Sequence, residues 1–368
     1  MKICHIINSL NRGGAESHLL DLVSAQIRND YDVKIVVIGK DSKTTSSIEN
    51  EIDKLGIEIK RLSGPRMYNL FSYFSLGFYL INKELDIIHS HQPRSDFMIY
   101  ILRKVSKKIS SISWVVSVHG KYDTYLEGNK LGDYLRKIFM KRLSKFWLNA
   151  TTVIAISDEV KEWISKLNSS IEARVIPYWV KRNNIKKVNN DKLTIGFLGR
   201  LNKNKGIEDL LHALNKLNYK ENNLDVIIGG HGDEKYIKKL KSILNEEVNK
   251  YVDFLGFVDD RDDYFNKVDI FVFPSYSEGL GLVLLEAMSY SKVCITRNIM
   301  PMKKYINNEN GYLFDDLESL ITNLNSAIND LTINYSVIEK KLSNIDKTLE
   351  KSREEKIFPM FQEAYKNE

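Results

Sequence analysis

The sequence predicts an α/β fold built from two doubly wound, Rossmann-like domains with parallel sheets. Short runs rich in isoleucine and valine alternate with segments whose apolar residues recur at helical spacing. A polar stretch rich in lysine and asparagine interrupts this alternation at residues 181–192, and a second alternation follows it. The length of 368 residues also suits two domains rather than one.

The first domain is predicted to span residues 1–180. A helix is predicted over Glu16–Arg28, because Leu19, Leu22, Val23 and Ile27 recur on one face. Nearly continuous apolar runs are expected of strands that are covered on both faces of a sheet. Six such strands are predicted, at Ile3–Asn8, Val33–Ile38, Ile87–His89, Val115–Val118, Thr152–Ile156 and Arg174–Ile176.

The second domain is predicted to span residues 193–350, after a linker at 181–192. Open parallel sheets bind ligands at the carboxyl ends of their strands, so we expect the two domains to face each other across a cleft. Five strands are predicted here, at Thr194–Leu198, Val226–Gly229, Val252–Phe254, Ile270–Phe273 and Val293–Thr296.

Composition excludes several classes of protein. Two cysteines are too few for a disulfide scaffold or a cysteine-rich zinc module. The longest uncharged stretch, Met67–Asn82, has 16 residues, whereas a membrane-spanning helix needs about 20. The first ten residues lack the apolar core and cleavage site of a signal peptide. We therefore expect a cytoplasmic protein with no transmembrane segment.

Glycine-containing loops follow three of the predicted strands. Their glycines lie in the segments Asn11–Glu16, Gly199–Gly206 and Gly229–Gly232. Glycine allows a backbone to approach a phosphate closely, and Arg200 and Lys205 in the second loop suit a diphosphate. Each loop taken alone is equally compatible with an ordinary turn or a solvated loop.

A fourth segment, Pro274–Ala287, joins a predicted strand to a predicted helix. Glu278 lies on its glycine-rich turn, and Glu286 follows about two helical turns into an apolar helix. A carboxylate among apolar neighbours is costly to bury unless it is paired or hydrogen-bonded, and sugar hydroxyls would satisfy it. The alternative is that Glu286 points to solvent.

Together these motifs resemble the retaining nucleotide-sugar glycosyltransferases of family 4, which have the GT-B fold. The resemblance depends on the order of four features over nearly the whole chain. These are the early Gly-Gly-Ala-Glu loop, the Ala155-Ile156-Ser157 segment, the Gly-Arg-Leu…Lys-Gly loop and the two glutamates separated by seven residues. It implies that the last segment, residues 351–368, forms a helix that crosses back to the first domain.

The resemblance implies a role for particular residues. Arg200 and Lys205 would hold the donor diphosphate and stabilise the departing charge, Glu278 would contact the donor sugar, and Glu286 the ribose. The implied catalytic residues are His119, Arg200, Lys205 and Glu278. The implied donor-binding residues are Gly13, Gly14, Gly230, Gly232, Phe257, Val258, Leu280, Gly281, Leu282 and Glu286. Acceptor-side candidates are His91, Arg94 and Tyr122, although His91 could equally be structural, and His119 could be a hydrogen-bonded turn residue.

The implied donor is a UDP- or GDP-linked sugar, with no cofactor and no metal ion. Retention would follow if the leaving phosphate accepts the proton of the acceptor hydroxyl on the same face of the sugar; a nucleophilic or acid–base role for Glu278 stays open. The sequence departs from the family pattern at Tyr178–Trp179, where Asn-Gly is usual, and at Thr296–Pro301, where a double-glycine turn is usual. Neither departure removes one of these donor contacts.

The net charge of +6 is concentrated in one region of the first domain. Residues 97–150 contain 11 basic and 3 acidic residues, and part of this region has the pattern of a basic amphipathic helix with aromatic residues. Such a helix suits an anionic membrane surface on the inner face of the cytoplasmic membrane, where a lipid-linked glycan acceptor would lie. A helix packed on the domain core with a solvated basic face is the alternative.

The favoured function is therefore sugar transfer to a glycan or lipid-linked acceptor in bacterial polysaccharide, O-antigen, capsule or lipooligosaccharide synthesis. A nucleotide-sugar epimerase and a non-catalytic sugar-nucleotide-binding protein are the alternatives. Nucleic acid, which would need a basic stripe with base-stacking aromatics, is not an expected partner, because the charge excess lies on the first domain beside a nearly neutral second domain.

Overall fold

A computed structural model describes residues 1–39, 47–62, 70–122, 130–181, 183 and 192–366. The chain divides into two compact units. The first contains Met1–Tyr178 together with Glu355–Glu368, and the second contains Trp179–Glu354. Most of the predicted linker, residue 182 and residues 184–191, lies outside the described residues.

The first unit contains a seven-stranded sheet in which every strand pair is parallel. Its strands are β1 (Lys2–Ile7), β2 (Asp32–Val37), β3 (Glu58–Arg61), β4 (Ile87–His91), β5 (Ser113–Val118), β6 (Thr152–Ala155) and β7 (Ala173–Val175). Their order across the sheet is β3-β2-β1-β4-β5-β6-β7. Its helices are α1 (Gly14–Arg28), α2 (Glu49–Lys54), α3 (Leu70–Asn82), α4 (Pro93–Val105), α5 (Lys107–Ser110), α6 (Lys130–Trp147) and α7 (Asp158–Leu167).

Burial explains which strands the sequence predicts. The central strands β1 and β4 are buried at nearly every position, as the continuous apolar runs indicate. The edge strand β3 is mostly exposed and carries three charged residues in four, so no apolar run marks it. Charged side chains at a sheet edge discourage pairing with another chain.

Chain segments far apart in sequence complete the first unit. The helix here named α15 (Glu354–Tyr365) belongs to it, and Phe358 packs against Tyr31 with ring centroids 6.4 Å apart. The Thr152 hydroxyl on β6 donates to the Ala364 carbonyl at 3.2 Å. Because Phe361 and Tyr365 are also buried, this helix is part of the core of the first unit.

The second unit contains a six-stranded sheet, again with only parallel pairs. Its strands are β8 (Leu193–Leu198), β9 (Leu224–Gly229), β10 (Val252–Gly256), β11 (Ile270–Phe273), β12 (Val293–Arg297) and β13 (Tyr312–Phe314). Their order is β10-β9-β8-β11-β12-β13. Its helices are α8 (Ile207–Leu214), α9 (Tyr219–Asn222), α10 (Glu234–Lys241), α11 (Arg261–Lys267), α12 (Leu282–Ser289), α13 (Leu317–Thr332) and α14 (Tyr335–Leu349).

The predicted fold class is confirmed: each unit is an α/β structure around a parallel sheet. The core of the second unit joins the inner faces of β8 and β9 to α8, α13 and α14. Among the described residues, no helix is both long enough and apolar enough to cross a membrane.

Candidate active site

The predicted donor residues of the second unit follow the carboxyl ends of four strands. The loop after β8 contains Arg200 and Lys205, and the loop after β11 contains Glu278. Strands β9 and β10 lie on one side of β8, whereas β11, β12 and β13 lie on the other. β8 is therefore a topological switch point, where the chain connections run to opposite sides of the sheet. The loops on the two sides diverge there and leave a crevice, which is where open α/β sheets bind ligands.

Backbone contacts hold the loops after β8, β9 and β10 together. The Gly230 N–H donates to the Gly256 carbonyl at 2.6 Å, and the Leu201 N–H donates to the His231 carbonyl at 2.8 Å. Gly230 has φ +141°, and a Cβ atom there would lie 1.7 Å from the Gly199 carbonyl oxygen. Only glycine therefore fits at this crossing of two loops.

Lys205 and Glu278, two of the predicted catalytic residues, form an ion pair. Lys205 ends a short 3₁₀ turn in which the Asn202 side chain accepts from its N–H at 3.2 Å. Its ammonium lies 5.7 Å from the centroid of the Phe273 ring, and the two paired side chains are only 14% and 11% exposed. The loops after β8 and β11 thus bring an ammonium and a carboxylate together in a partly dehydrated position.

The Glu286 carboxylate is half-buried and pairs with Arg261. Glu286 lies on α12, and Arg261 is the first residue of α11. The cost of burying a carboxylate on an apolar helix is therefore offset by a guanidinium. Sequence reasoning missed Arg261, since nothing in its local sequence marks it as the partner of a residue 25 positions away.

The other donor-side candidates lie around these pairs. Arg200 is exposed, and Phe257 and Val258 are half-buried after β10. The Phe257 ring lies 5.8 Å from the His231 ring. Gly281 is the N-cap of α12, which begins at Leu282, and Leu280 is buried before it. Gly232 is bridged to Leu201.

Arg297 occupies the turn that departs from the family pattern. Its guanidinium is buried, forms an ion pair with Asp209, and donates to the carbonyls of Pro274 and Asp315 at 3.1 and 3.2 Å. It also stacks over the Tyr276 ring at 4.2 Å. The contacts of Arg297 with Pro274 and Tyr276 therefore stabilise the start of the segment that contains Glu278.

In the first unit, Gly13 and Gly14 lie where α1 begins, with Gly13 as the N-cap. Glu16 on the first turn accepts from the Gln92 side chain at 3.0 Å. The neighbouring Arg94, an acceptor-side candidate, is half-buried, and its Nε and Nη2 atoms have no hydrogen-bond partner within the described parts of the chain. Tyr122, another candidate, accepts from the His119 N–H at 3.0 Å.

A cluster of histidines fills the interior beneath these residues. The Nε2 atom of His91 lies 2.9 Å from His5 Nδ1, and His91 Nδ1 lies 3.1 Å from His119 Nε2. The remaining nitrogen of His119, Nδ1, faces the Tyr178 hydroxyl. His91 is fully buried between two other histidines, so the structure places it inside the unit and not on a surface that an acceptor reaches.

The cluster continues from His5 to the C-terminal helix. His5 Nε2 lies 2.9 Å from Gln26 Oε1, and Gln26 Nε2 donates to the Tyr365 hydroxyl at 3.0 Å. Tyr365 lies 2.9 Å from His89 Nδ1, and His89 Nε2 lies 2.8 Å from the Ser117 hydroxyl. These bonds define a continuous histidine chain: Tyr178, His119, His91, His5, Gln26, Tyr365, His89 and Ser117.

Burial keeps these imidazoles neutral. It lowers the pKa of His5 to about 4, although the bond to Gln26 raises it somewhat. It lowers the pKa of His119 to about 3 and holds the pKa values of His89 and His91 well below their usual range. A general acid at neutral pH needs a pKa near 7, so His119 is suited to hydrogen bonding in its neutral form.

Three of these histidines are close enough together to hold a metal ion. Ring nitrogens of His5, His89 and His91 all lie within 4.8 Å of one another. Neutral imidazole is the form that binds metals. The same nitrogens are engaged in the hydrogen bonds of the histidine chain, and the sequence-based expectation of no metal stays a prediction.

The described part of α6, in the basic region 97–150, exposes basic side chains and buries several apolar ones. On the described part of α6, Leu143 and Trp147 are buried, whereas Lys141, Arg142 and Lys145 are exposed. The side chains of residues 130–137, which include Arg136 and Lys137, lie outside the description. The described part of α6 therefore packs apolar side chains on the core and exposes basic ones, and contact of this region with a membrane stays a prediction.

An exposed apolar surface lies on α3. From the sequence, this segment is distinguished only as part of the longest uncharged stretch. Leu70, Phe71, Phe74 and Phe78 are 70–81% exposed. Phe71, Phe74 and Phe78 are three and four residues apart, so they line one face of the helix. Large apolar patches on a protein surface mark sites of interaction with a partner or a membrane.

Two parallel-sheet α/β units, with glycine-containing loops at the strand ends of the second, are the architecture of GT-B glycosyltransferases. The family model described as "Glycosyltransferase Family 4" matches residues 12–183, and the family model described as "Glycosyl transferases group 1" matches residues 180–347. Together these two models cover residues 12–347, and the chain is a GT4-like glycosyltransferase.

Curated relatives and solved structures agree with this assignment. The chain is 25% identical to the capsular polysaccharide biosynthesis glycosyltransferase CapH of Staphylococcus aureus, covering 81% of this chain and 82% of CapH. It is 22% identical to the O-antigen biosynthesis glycosyltransferase WclY of Escherichia coli, covering 81% and 80%. The crystal structure of Anabaena HepE in complex with UDP and glucose superimposes with a TM-score of 0.81 at 18% identity, covering 99% and 98% of the two chains.

Proposed function

We propose that this glycosyltransferase is retaining and metal-independent, and that it moves a sugar from a UDP- or GDP-linked donor to a glycan or lipid-linked acceptor in bacterial polysaccharide synthesis. The observation that supports this most is the convergence of Arg200, Lys205, Glu278 and Glu286 on the strand ends of one sheet. Relatives named for capsule and O-antigen synthesis, and a structural neighbour solved with UDP and glucose, point to the same chemistry.

The ion pairs suggest how the donor is held. In the proposed complex, the diphosphate takes over the Lys205 ammonium that Glu278 holds in this structure. Glu278 is then released toward the hydroxyls of the donor sugar. Glu286 is held by Arg261 and accepts hydrogen bonds from the ribose with its remaining lone pairs.

The proposed transfer places charge stabilisation at the departing phosphate. Arg200 and Lys205 stabilise the negative charge that grows on the diphosphate as the bond to the sugar breaks. The leaving phosphate oxygen accepts the proton of the acceptor hydroxyl, and this hydroxyl attacks from the same face of the sugar. Backbone amides near Leu280, Gly281 and Leu282 approach the sugar or the phosphate.

For the acceptor, Arg94 is the described residue best suited to an acidic group. Its buried Nε and Nη2 atoms face no hydrogen-bond partner in the described segments. A carboxylate or phosphate that displaces the side chains covering these atoms would satisfy both donors at once. Loss of acceptor affinity in Arg94→Met, with donor affinity retained, is the expected result, whereas loss of donor affinity would assign Arg94 to the donor.

We further propose that α3 contacts the inner face of the cytoplasmic membrane. Exposed Lys104, Lys107 and Lys108 lie on α4 and α5, which pack beside α3. Aromatic side chains with neighbouring lysines are the combination that binds an interface containing anionic lipids. The membrane contact proposed here therefore uses the phenylalanine face of α3 together with the basic residues of region 97–150.

Donor recognition is tested with a panel of UDP- and GDP-sugars. We expect one of them to raise the melting temperature and to be hydrolysed slowly or transferred with retention, as seen by NMR of the anomeric proton. Lys205→Ala should weaken donor binding at least tenfold, whereas Lys203→Ala, which changes an exposed lysine two positions earlier, should not. Turnover of the donor to an epimer without transfer would favour the epimerase, and binding without turnover would favour a binding protein.

Membrane contact is tested by flotation with vesicles of phosphatidylglycerol and phosphatidylcholine. Each buried phenylalanine side chain contributes about 1.5–3 kcal/mol, so Phe74→Ser with Phe78→Ser should reduce partitioning by roughly two to four orders of magnitude. Ile333→Ser, which changes a residue that is 75% exposed in the second unit, is the control. Binding that ignores both the double variant and added salt would refute the proposal.

A further inference from the structure

Strand register explains why the histidine chain forms. His5 on β1 pairs with His89 on β4, and His91 on β4 pairs with Ser117 on β5. Paired residues, and residues two apart on a strand, point to the same face of a sheet. These side chains therefore lie on one face of the sheet. Gln26 on α1 and Tyr365 on α15 form hydrogen bonds to histidines on this face.

The hydrogen bonds of this chain have one direction. Each neutral imidazole has one N–H donor and one acceptor nitrogen. Gln26 Oε1 can only accept, so His5 carries its hydrogen on Nε2. His5 Nδ1 must then accept, which places the hydrogen of His91 on Nε2. The same step places the hydrogen of His119 on Nε2 and leaves its Nδ1 as an acceptor.

We propose that Gln26 sets the tautomer of His119 through His5 and His91, so that Nδ1 of His119 is held as an acceptor for a hydroxyl group. Gln26 and Tyr365 are thus positioning residues. Tyr365 takes part because it accepts from Gln26 Nε2, which keeps the amide nitrogen hydrogen-bonded while Oε1 faces His5. The reversed amide would donate to His5 and would reverse each later bond as far as His119.

The tautomer decides what His119 can recognise. In this structure, the Tyr178 hydroxyl donates to Nδ1. If the proposed function is right, a hydroxyl of the donor sugar takes the place of the Tyr178 hydroxyl and donates in the same way. A sugar whose hydroxyl is replaced by fluorine lacks that hydrogen and would be selected against, because the acceptor nitrogen would be left unsatisfied.

The direct test is the ¹⁵N NMR spectrum of the full chain with labelled histidine. The His119 signal, assigned by its loss in His119→Asn, should show a single tautomer with the hydrogen on Nε2. Gln26→Met removes the acceptor that sets the direction, so a population with the hydrogen on Nδ1 should appear. Gln362→Met is the matched control, since Gln362 donates to Tyr31 outside the histidine chain.

Several results would overturn the proposal. These are a hydrogen on Nδ1 of His119 in the unaltered protein, or an unchanged tautomer in a folded Gln26→Met variant. If Gln26→Met does not fold, His5→Phe replaces it, because this change removes the imidazole that links Gln26 to His91. A stoichiometric transition metal bound by His5, His89 and His91 would also overturn it, since ligation needs unprotonated nitrogens aimed at the metal.

The spectrum requires neither donor nor acceptor, so it separates this inference from the proposed function. A correct tautomer in a protein that transfers no sugar leaves the positioning role intact and refutes the transfer. Transfer with a tautomer that ignores Gln26 refutes the positioning role alone.

Discussion

Asp96 provides a test of how burial controls the stability of the first unit. Its carboxylate is fully buried on α4, accepts from the Ser90 hydroxyl at 2.6 Å and accepts from Trp147 Nε1 at 3.0 Å. Burial raises its pKa to about 7, although both hydrogen bonds lower it. The perturbation is Asp96→Asn, which keeps the shape of the side chain and removes the charge.

The sign and size of the effect follow from this pKa. Because the folded pKa lies above the unfolded value of about 3.9, the folded state binds the proton more tightly, and stability falls as the pH rises from about 4 to 7. The raised pKa of Asp96 lowers the free energy of unfolding by roughly 4 kcal/mol at pH 8 and by under 2 kcal/mol at pH 5. Asparagine avoids this cost. If its amide NH₂ group, and not its oxygen, faces Trp147 Nε1, the hydrogen bond is lost at a cost of about 1–3 kcal/mol.

The assay is urea unfolding of both proteins between pH 5 and pH 8, followed by tryptophan fluorescence. We expect the stability of Asp96→Asn relative to the unaltered chain to rise by roughly 2–3 kcal/mol across this range. The difference between the two proteins isolates Asp96 from the other titrating groups, and Asp53→Asn, at an exposed position, is the control. A difference that does not change with pH, or that falls as the pH rises, would show that Asp96 is not held in a dehydrated carboxyl site.

Three further variants test other parts of the structure. Gly230→Ala should destabilise the second unit by more than 2 kcal/mol and weaken donor binding, because its Cβ atom would collide with the Gly199 carbonyl; thermal unfolding and a donor titration measure this. Tyr365→Phe should lower the unfolding free energy by about 2–4 kcal/mol, since two buried groups of the histidine chain lose their partner; urea unfolding with an unchanged midpoint would contradict this. Arg261→Met should weaken donor binding several-fold by removing a guanidinium partner of the half-buried Glu286, and an unchanged affinity in isothermal calorimetry would exclude Arg261 from the site.

The sequence predicts most of this fold because central strands of a parallel sheet are buried on both faces. Each predicted strand overlaps an observed one, such as Ile270–Phe273, which agrees at both ends. The prediction missed β3 and β13, which lie at sheet edges. An edge strand such as Glu58–Arg61 needs fewer apolar residues, so its pattern does not differ from that of a loop.

Site residues could be predicted when they are glycines or charged residues that directly follow a strand. Residues whose role depends on a partner from a distant part of the chain could not. The loops with Lys205 and Gly230 were found, because strand ends are where ligands bind. Arg261 and Gln26 were missed, since the partner of each lies on another element. The phenylalanine face of α3 was missed for another reason: an uncharged sequence does not reveal which of its faces is covered.

The composition of the first unit also affects how the chain folds during synthesis. This unit needs Tyr365 from its C-terminal segment, yet its N-terminal segment ends at Tyr178. At about 5–20 residues per second, a ribosome needs roughly 10–35 s to make the intervening unit. During this time the sheet face that α15 covers is open, with buried histidines and aromatic surface accessible to chaperones or to other nascent chains. The second unit has all of its own residues earlier, so it can fold first, and the N-terminal unit becomes complete last.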